Sequence, residues 1–206
     1  MGQALAHRSA DPFSARVTLS VRSEQAVLFT MDGRFNLNAT RPEGSVTLRQ
    51  SPGTAEESVT RSVRLGKTLY WKVDKGTGAG KGWAKKAGPQ EVSRTDPDAN
   101  QLPQYAELLL AQGKKARKGP ERVDGVLTEH LSGRLTIAEL RTVEPHVADG
   151  LYGQGLDAVE CEIWVDGEGR VRRYEQHQKG SADQVTLMVM TVSEERAPEK
   201  FAAPIR

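Results

Sequence analysis

From Phe13 to Arg22 the chain reads FSARVTLSVR, with apolar and polar positions alternating almost without a break. A period of two puts Phe13, Ala15, Val17, Leu19 and Val21 on one face of a strand and Ser14, Arg16, Thr18, Ser20 and Arg22 on the other. After Ser23-Glu24 the alternation resumes through Val27, Phe29, Met31, Phe35, Leu37 and Ala39. Gly33 interrupts it and predicts a bend or bulge in one long strand. Arg41-Pro42-Glu43-Gly44 reads as a turn. Strands are expected around 45–50 and 58–65, and Gly66-Lys67 turns the chain into another over 68–73.

The pattern then changes. Residues 75–90, KGTGAGKGWAKKAGPQ, have the composition of a loop with room for a short strand around Trp83. Residues 94–101 are also loop-like. From Pro103 to Gly113 the spacing predicts a helix with Tyr105, Leu108, Leu109 and Gln112 on one face, proline in its first turn and glycine at its end. The basic run 114–118 leads into a loop, and strand character returns over 123–135. Ile137, Leu140, Val143, Val147 and Leu151 fall at helical spacing, broken or kinked at Pro145.

Over 157–177 two β-prone runs flank Asp166-Gly167-Glu168-Gly169. A calcium loop beginning at Asp166 would place Arg170 and His177 at ligand positions five and twelve, which excludes it. The segment reads as a β-hairpin whose acidic turn is surface punctuation. Residues 184–193, QVTLMVMTVS, are apolar on both faces and predict a central strand. The tail 194–206 is turn-like, and residues 3–10 suggest a short N-terminal helix ended near Asp11-Pro12. Many strands, one or two helices and more strands give an α+β class: a large, curved antiparallel sheet with helices packed on one side, in a single domain spanning 1–206.

Composition narrows the function classes. The chain has 206 residues, 27% charged, with a formal net charge of +2, so no bulk basic character argues for a nucleic-acid partner. One cysteine, Cys161, forms no internal disulfide and falls on the apolar register of its strand, where a buried, inert thiol is expected. No apolar run reaches the ~18 residues of a membrane span. The first residues lack the basic-then-apolar pattern of a signal peptide.

Catalytic and metal signatures are not found. Gly76-Thr77-Gly78-Ala79-Gly80-Lys81 has three residues between its outer glycines, and Gly82 follows the lysine, so it fails as a phosphate-binding loop. His7, His130, His146 and His177 show no metal-ligand spacing. Glu160 and Glu162 share a strand face and read as solvent-facing. No catalytic residue, metal or cofactor is expected. A cleft joining perturbed acids to His130 or His177 would change that reading.

A wide one-sided sheet with only two helices leaves apolar surface for another sheet, a partner or a ligand. On pattern alone, a filled core serves as well as a cavity. The stretches YAELLLAQGKKARKGPERVDGV, HLSGRLTIAEL and AVECEIWVDGEGRVRRYE, with LYWKV and GWAKK upstream, resemble actinobacterial lipoproteins of the LppX/LprG type, within the wider LolA/LolB-like superfamily. The resemblance runs over nearly the whole chain.

It implies a half-open β-barrel with helices covering the concave side, and non-catalytic binding of a lipid or other acylated ligand between sheet and helices. It also implies a place on the extracytoplasmic face of the cell membrane, held in such proteins by a lipidated cysteine; no lipobox cysteine precedes Gln3 in this sequence. The cavity lining is expected from Val17, Leu19, Val21, Phe29, Met31, Phe35, Leu37, Leu69, Trp71, Leu187 and Val189 of the sheet, with Tyr105, Leu108, Leu109 and Leu140 of the helices. The alternative is an envelope interaction or sensing module with a filled core, contacting its partner through loops 75–82 and 114–118.

Overall fold

A computed structural model describes residues 11–88, 97–179 and 185–205. The expected helix over 3–10 lies outside them. The strands are β1 (Phe13–Arg22), β2 (Val27–Leu37), β3 (Glu43–Gln50), β4 (Ser58–Leu65), β5 (Thr68–Lys75), β6 (Ala84–Ala87), β7 (Arg117–Val123), β8 (Val126–Thr136), β9 (Ala158–Asp166), β10 (Val171–Lys179) and β11 (Val185–Arg196). The helices are α1 (Leu102–Ala111), α2 (Ile137–Arg141) and α3 (Pro145–Gly153), with a 3-10 turn over Gly113–Ala116. The class is α+β, with one antiparallel sheet in the order β6-β5-β4-β3-β2-β1-β11-β10-β9-β8-β7, left open. No helix among the described residues is long and apolar enough to cross a membrane.

The chain forms two compact units. The first comprises Ala10–Glu91 and Val192–Arg206; the second comprises Met1–Ser9 and Val92–Thr191. Among the described residues of the first unit there is no helix. Its β1 and β2 pair in unbroken register from Phe13↔Leu37 to Val21↔Phe29, and Val17 faces Gly33. The pairing therefore carries no bulge at Gly33. The glycine is needed for space: a Cβ at this position would stand 2.6 Å from the Ser45 carbonyl and 2.9 Å from both Val46 Cβ and the Phe35 ring. Gly44, cross-strand from Phe35, is under the same ring, with a Cβ position only 2.4 Å from Phe35 Cδ1. It belongs to β3 and not to a turn, because Phe35 takes the volume its side chain would fill.

In the second unit, α1 packs on the sheet through Leu102, Tyr105, Ala106 and Leu109, all fully buried. It approaches β8 at Gly133, where a Cβ would lie 3.1 Å from Leu109 Cδ2 and 2.7 Å from Gln112 Oε1. Thr136 and Glu139 form a reciprocal capping box that starts α2. Pro145 separates α2 from α3, as its missing N–H and fixed φ require.

The β9–β10 turn corrects the reading of Asp166. The residue is 3% exposed; its Oδ1 accepts from the backbone N–H of Glu168 (2.9 Å) and Arg170 (3.0 Å), and its Oδ2 from Arg172 Nε (2.7 Å). It builds the turn from inside. The strand β11 also runs further than expected, so residues 194–196 belong to it and not to the tail.

Candidate ligand-binding face

Register places one apolar face across the first unit. Ala15, Val17, Leu19 and Val21 stand beside Phe35, Gly33, Met31 and Phe29; beside those stand Gly44, Val46 and Leu48 of β3. The face becomes polar at Thr60 and Ser62 of β4 and turns apolar again at Leu69, Trp71 and Val73 of β5. Ala15, Val17, Leu19 and Leu37 are buried. Val21, Phe29, Met31, Phe35, Val46, Leu48, Leu69, Trp71 and Val73 remain half-buried. From Ala15 to Val21 the face runs about 20 Å along a strand, and β1 to β5 spans about 19 Å across.

The second unit treats its apolar face differently. Leu131, Leu135, Ile163, Cys161, Tyr174 and Gln176 are 0% exposed, as are Tyr105, Leu109 and Leu140 of the helices. Tyr105 meets Tyr174 edge-on at 5.8 Å between ring centroids. This is a sealed core. Burial pushes the Cys161 thiol up to about 12, and it pushes the Tyr174 hydroxyl up as well, so neither ionises near neutral pH.

The expected lining residues therefore fall into three places. Val17, Leu19, Val21, Phe29, Met31, Phe35, Leu37, Leu69 and Trp71 share the first unit's apolar face. Tyr105, Leu109 and Leu140 lie in the second unit's core, with Leu108 half-buried beside them on α1. Leu187 and Val189 pair with His177 and Glu175 on the face opposite Met188 and Met190, which are buried. Val46 and Leu48 join the first group without having been singled out from the sequence. Their alternation within β3 was the available signal.

One acid in the second unit is out of the ordinary. Glu144 is 2% exposed beside Tyr105, and burial raises its carboxyl above the usual range. The Asp98 N–H, donated to Glu144 Oε1 at 3.1 Å, and His146 nearby oppose that shift only in part. A carboxyl whose folded pKa exceeds its unfolded value favours the fold while protonated. That contribution is complete below the unfolded pKa of about 4.5 and is lost as pH rises through the folded value. Glu144→Gln keeps an acceptor for Asp98 and removes the loss. The variant is expected to gain melting temperature relative to the parent at pH 8 and to match it near pH 4, as read by thermal melts across that range.

The polar faces carry engaged side chains. On the second unit His130 stacks on Trp164 (4.4 Å between centroids) and reaches Glu162 at 2.8 Å, while Trp164 Nε1 donates to Glu121 at 2.9 Å. His177 lies 4.0 Å from both Glu162 and Glu175. Cys161 belongs to the opposite face, so the thiol and these imidazoles cannot form a nucleophile–base pair. Among the described residues no group of acids, histidines and cysteine has metal-binding geometry.

On the first unit's polar face, a depression of about 480 Å³ is lined by Arg16, Asp32, Arg34, Arg61, Trp83 and Glu194, among others. Its ions are mutually paired. Arg16 donates to both oxygens of Asp32 and holds that carboxyl below its usual range, Arg34 bonds Glu194, and Arg61 bonds Asp74. The Gly-rich segment between β5 and β6 runs strand to strand, unlike a phosphate-binding loop, which opens a helix.

Comparison with solved structures places this architecture. LprF from Mycobacterium bovis superimposes with a TM-score of 0.60 at 17% identity, covering 98% of this chain and 95% of that one. The fold is that of LprF. The Mycobacterium tuberculosis lipoprotein LppX follows with a TM-score of 0.51 at 12% identity, covering 96% and 92%. The LprF/LppX fold thus extends over nearly the whole chain, as the sequence resemblance implied. No protein-family model matches the sequence, and neither does any curated protein.

Proposed function

We propose that the chain is a non-catalytic carrier that binds a lipid or other acylated ligand on the apolar face of β1, β2, β3 and β5, on the extracytoplasmic side of the cell membrane. The observation that carries this reading is the contrast between the two units. One apolar face is closed by its own helices to zero exposure; the other leaves Phe29, Met31, Phe35, Leu48 and Trp71 half open, with no described helix of its unit to close it. An acyl chain laid on such a face gains about 0.8 kcal/mol per buried methylene and needs no polar partner. The LprF/LppX fold, LppX being a lipoprotein, supports the envelope setting. The separation of Cys161 from His130 and His177 supports a binding role over a catalytic one.

Native mass spectrometry of the purified protein, with analysis of its organic extract, tests the reading. A stoichiometric adduct of several hundred daltons that extracts as acyl lipid is expected. A clean apo mass, unchanged after incubation with lipid vesicles, overturns it. That result would favour an interaction module of the same fold, for which the sealed core of the second unit is already suited.

A further inference from the structure

The charge of the first unit is concentrated at one corner. Between Arg64 and Gly88 the sequence carries seven lysines and arginines against one carboxylate, Asp74, in a chain whose net charge is only +2. Asp74 is already committed to Arg61 and Lys72.

The fold collects part of this charge at the end of the sheet that holds the β4–β5 turn. Three chain segments are tied together there. The Gly66 N–H donates to the Pro42 carbonyl at 2.8 Å, and the Gly88 N–H to the Lys67 carbonyl at 3.1 Å. Arg41 lies across the turn, so close that a Cβ on Gly66 would meet its Nε at 2.7 Å. The result is a notch of about 590 Å³ lined by Arg41, Arg64 and Lys67 with Pro42 and Leu65; on the adjacent strand β6, Lys85 pairs with Tyr70, two residues along β5 from Thr68 at the notch. Arg41, Lys67 and Lys85 are exposed. The carboxylate within reach of Arg41 is Glu43, at 3.3 Å, and the Arg41 side chain remains 67% exposed in that pair.

We propose that this corner docks the protein on a bilayer bearing anionic phospholipid headgroups. Cations carried by three separate segments and presented outward suit a plane of phosphates better than one small anion, which needs donors converging on a point. Each cation held near an anionic bilayer raises partitioning roughly fivefold, and the attraction decays over one Debye length. The docking goes beyond the lipid-binding face and does not depend on it: Arg41, Lys67 and Lys85 are not part of that face.

The test is co-sedimentation of the full chain with vesicles of phosphatidylcholine alone and with phosphatidylglycerol added. Binding is expected only to the anionic vesicles. It should be lost when ionic strength rises from about 0.1 to about 1 M, which shortens the screening length from about 10 to about 3 Å. The triple reversal Arg41→Glu, Lys67→Glu, Lys85→Glu is expected to lower binding more than a hundredfold and to leave uptake of monomeric lipid unchanged. Lys81→Glu, in the loop that precedes β6, should keep most of the binding. Equal binding to both vesicle types overturns the proposal, as does a folded triple variant that binds like the parent. So does displacement by millimolar glycerol phosphate, which would mark a small-anion site. If the triple variant does not fold, the lipid-composition and salt comparisons on the unaltered chain decide. Failure of lipid uptake with intact vesicle binding would sink only the carrier reading.

Discussion

The Met31→Glu, Leu48→Glu double variant will purify without bound lipid and take up added acyl lipid at least a hundredfold more weakly than the parent. The two positions face each other across β2 and β3, in the middle of the apolar face, and both are half-buried. In the free protein each carboxylate can remain hydrated, so the fold should lose no more than about 2 kcal/mol, within the ordinary range for single substitutions. Against methylenes the same carboxylates lose their water and gain no partner. An unpaired polar group in an apolar setting costs about 2–7 kcal/mol, and a charge costs more. Since 1.4 kcal/mol is a factor of ten, two such groups exceed a hundredfold easily. Titration with a fluorescent fatty-acid probe, read beside a thermal melt, measures both quantities. Met31→Leu with Leu48→Met, which keeps volume and polarity, should bind like the parent. A double-glutamate protein that melts normally and binds lipid normally would move the site off this face.

How much of this was legible beforehand depends on the kind of signal. β1 declared itself because one face is buried and the other wet, and strict alternation follows from that. The β9–β10 hairpin was readable for the same reason. The sequence of β7, Arg117–Val123, predicts a loop because RKGPERV has no alternation to see. It is an edge strand, where charge and proline guard against pairing with another chain, so its sequence records protection in place of burial. Gly33 reads as a bend or bulge because a glycine says only that a side chain is intolerable, and not whether conformation or space is the reason. β11 is apolar at successive positions, so nothing in the sequence could tell whether Leu187 and Val189 or Met188 and Met190 turn toward the core; pairing with β10 decides for the methionines. The contrast between a sealed and a half-open apolar face was out of reach, because both faces are built from the same residue types. What marks one of them as core is that its own unit supplies the helices that bury it.

That separation makes the last prediction a direct one. Leu109→Ala will cost about 2–5 kcal/mol of stability, the range for emptying a buried leucine site, and will leave lipid uptake by the surviving folded protein unchanged. Leu109 is 0% exposed and packs where α1 meets β8 at Gly133, its Cδ2 lying 3.1 Å from where a Cβ would stand. The helix cannot simply settle onto the sheet to refill the space, because Gln112 Nε2 holds its end to the Arg134 carbonyl at 2.7 Å. A cavity therefore remains, and the cost should fall in the upper half of the range. Urea melts give the stability, and probe titration well below the unfolding midpoint gives the uptake. The milder Leu109→Met should stay within about 1.5 kcal/mol of the parent, since it conserves volume. If instead Leu109→Ala weakened lipid binding in proportion to its effect on packing, the core under α1 would be part of the ligand site, and the half-open face of β1–β3 would no longer suffice to explain the binding.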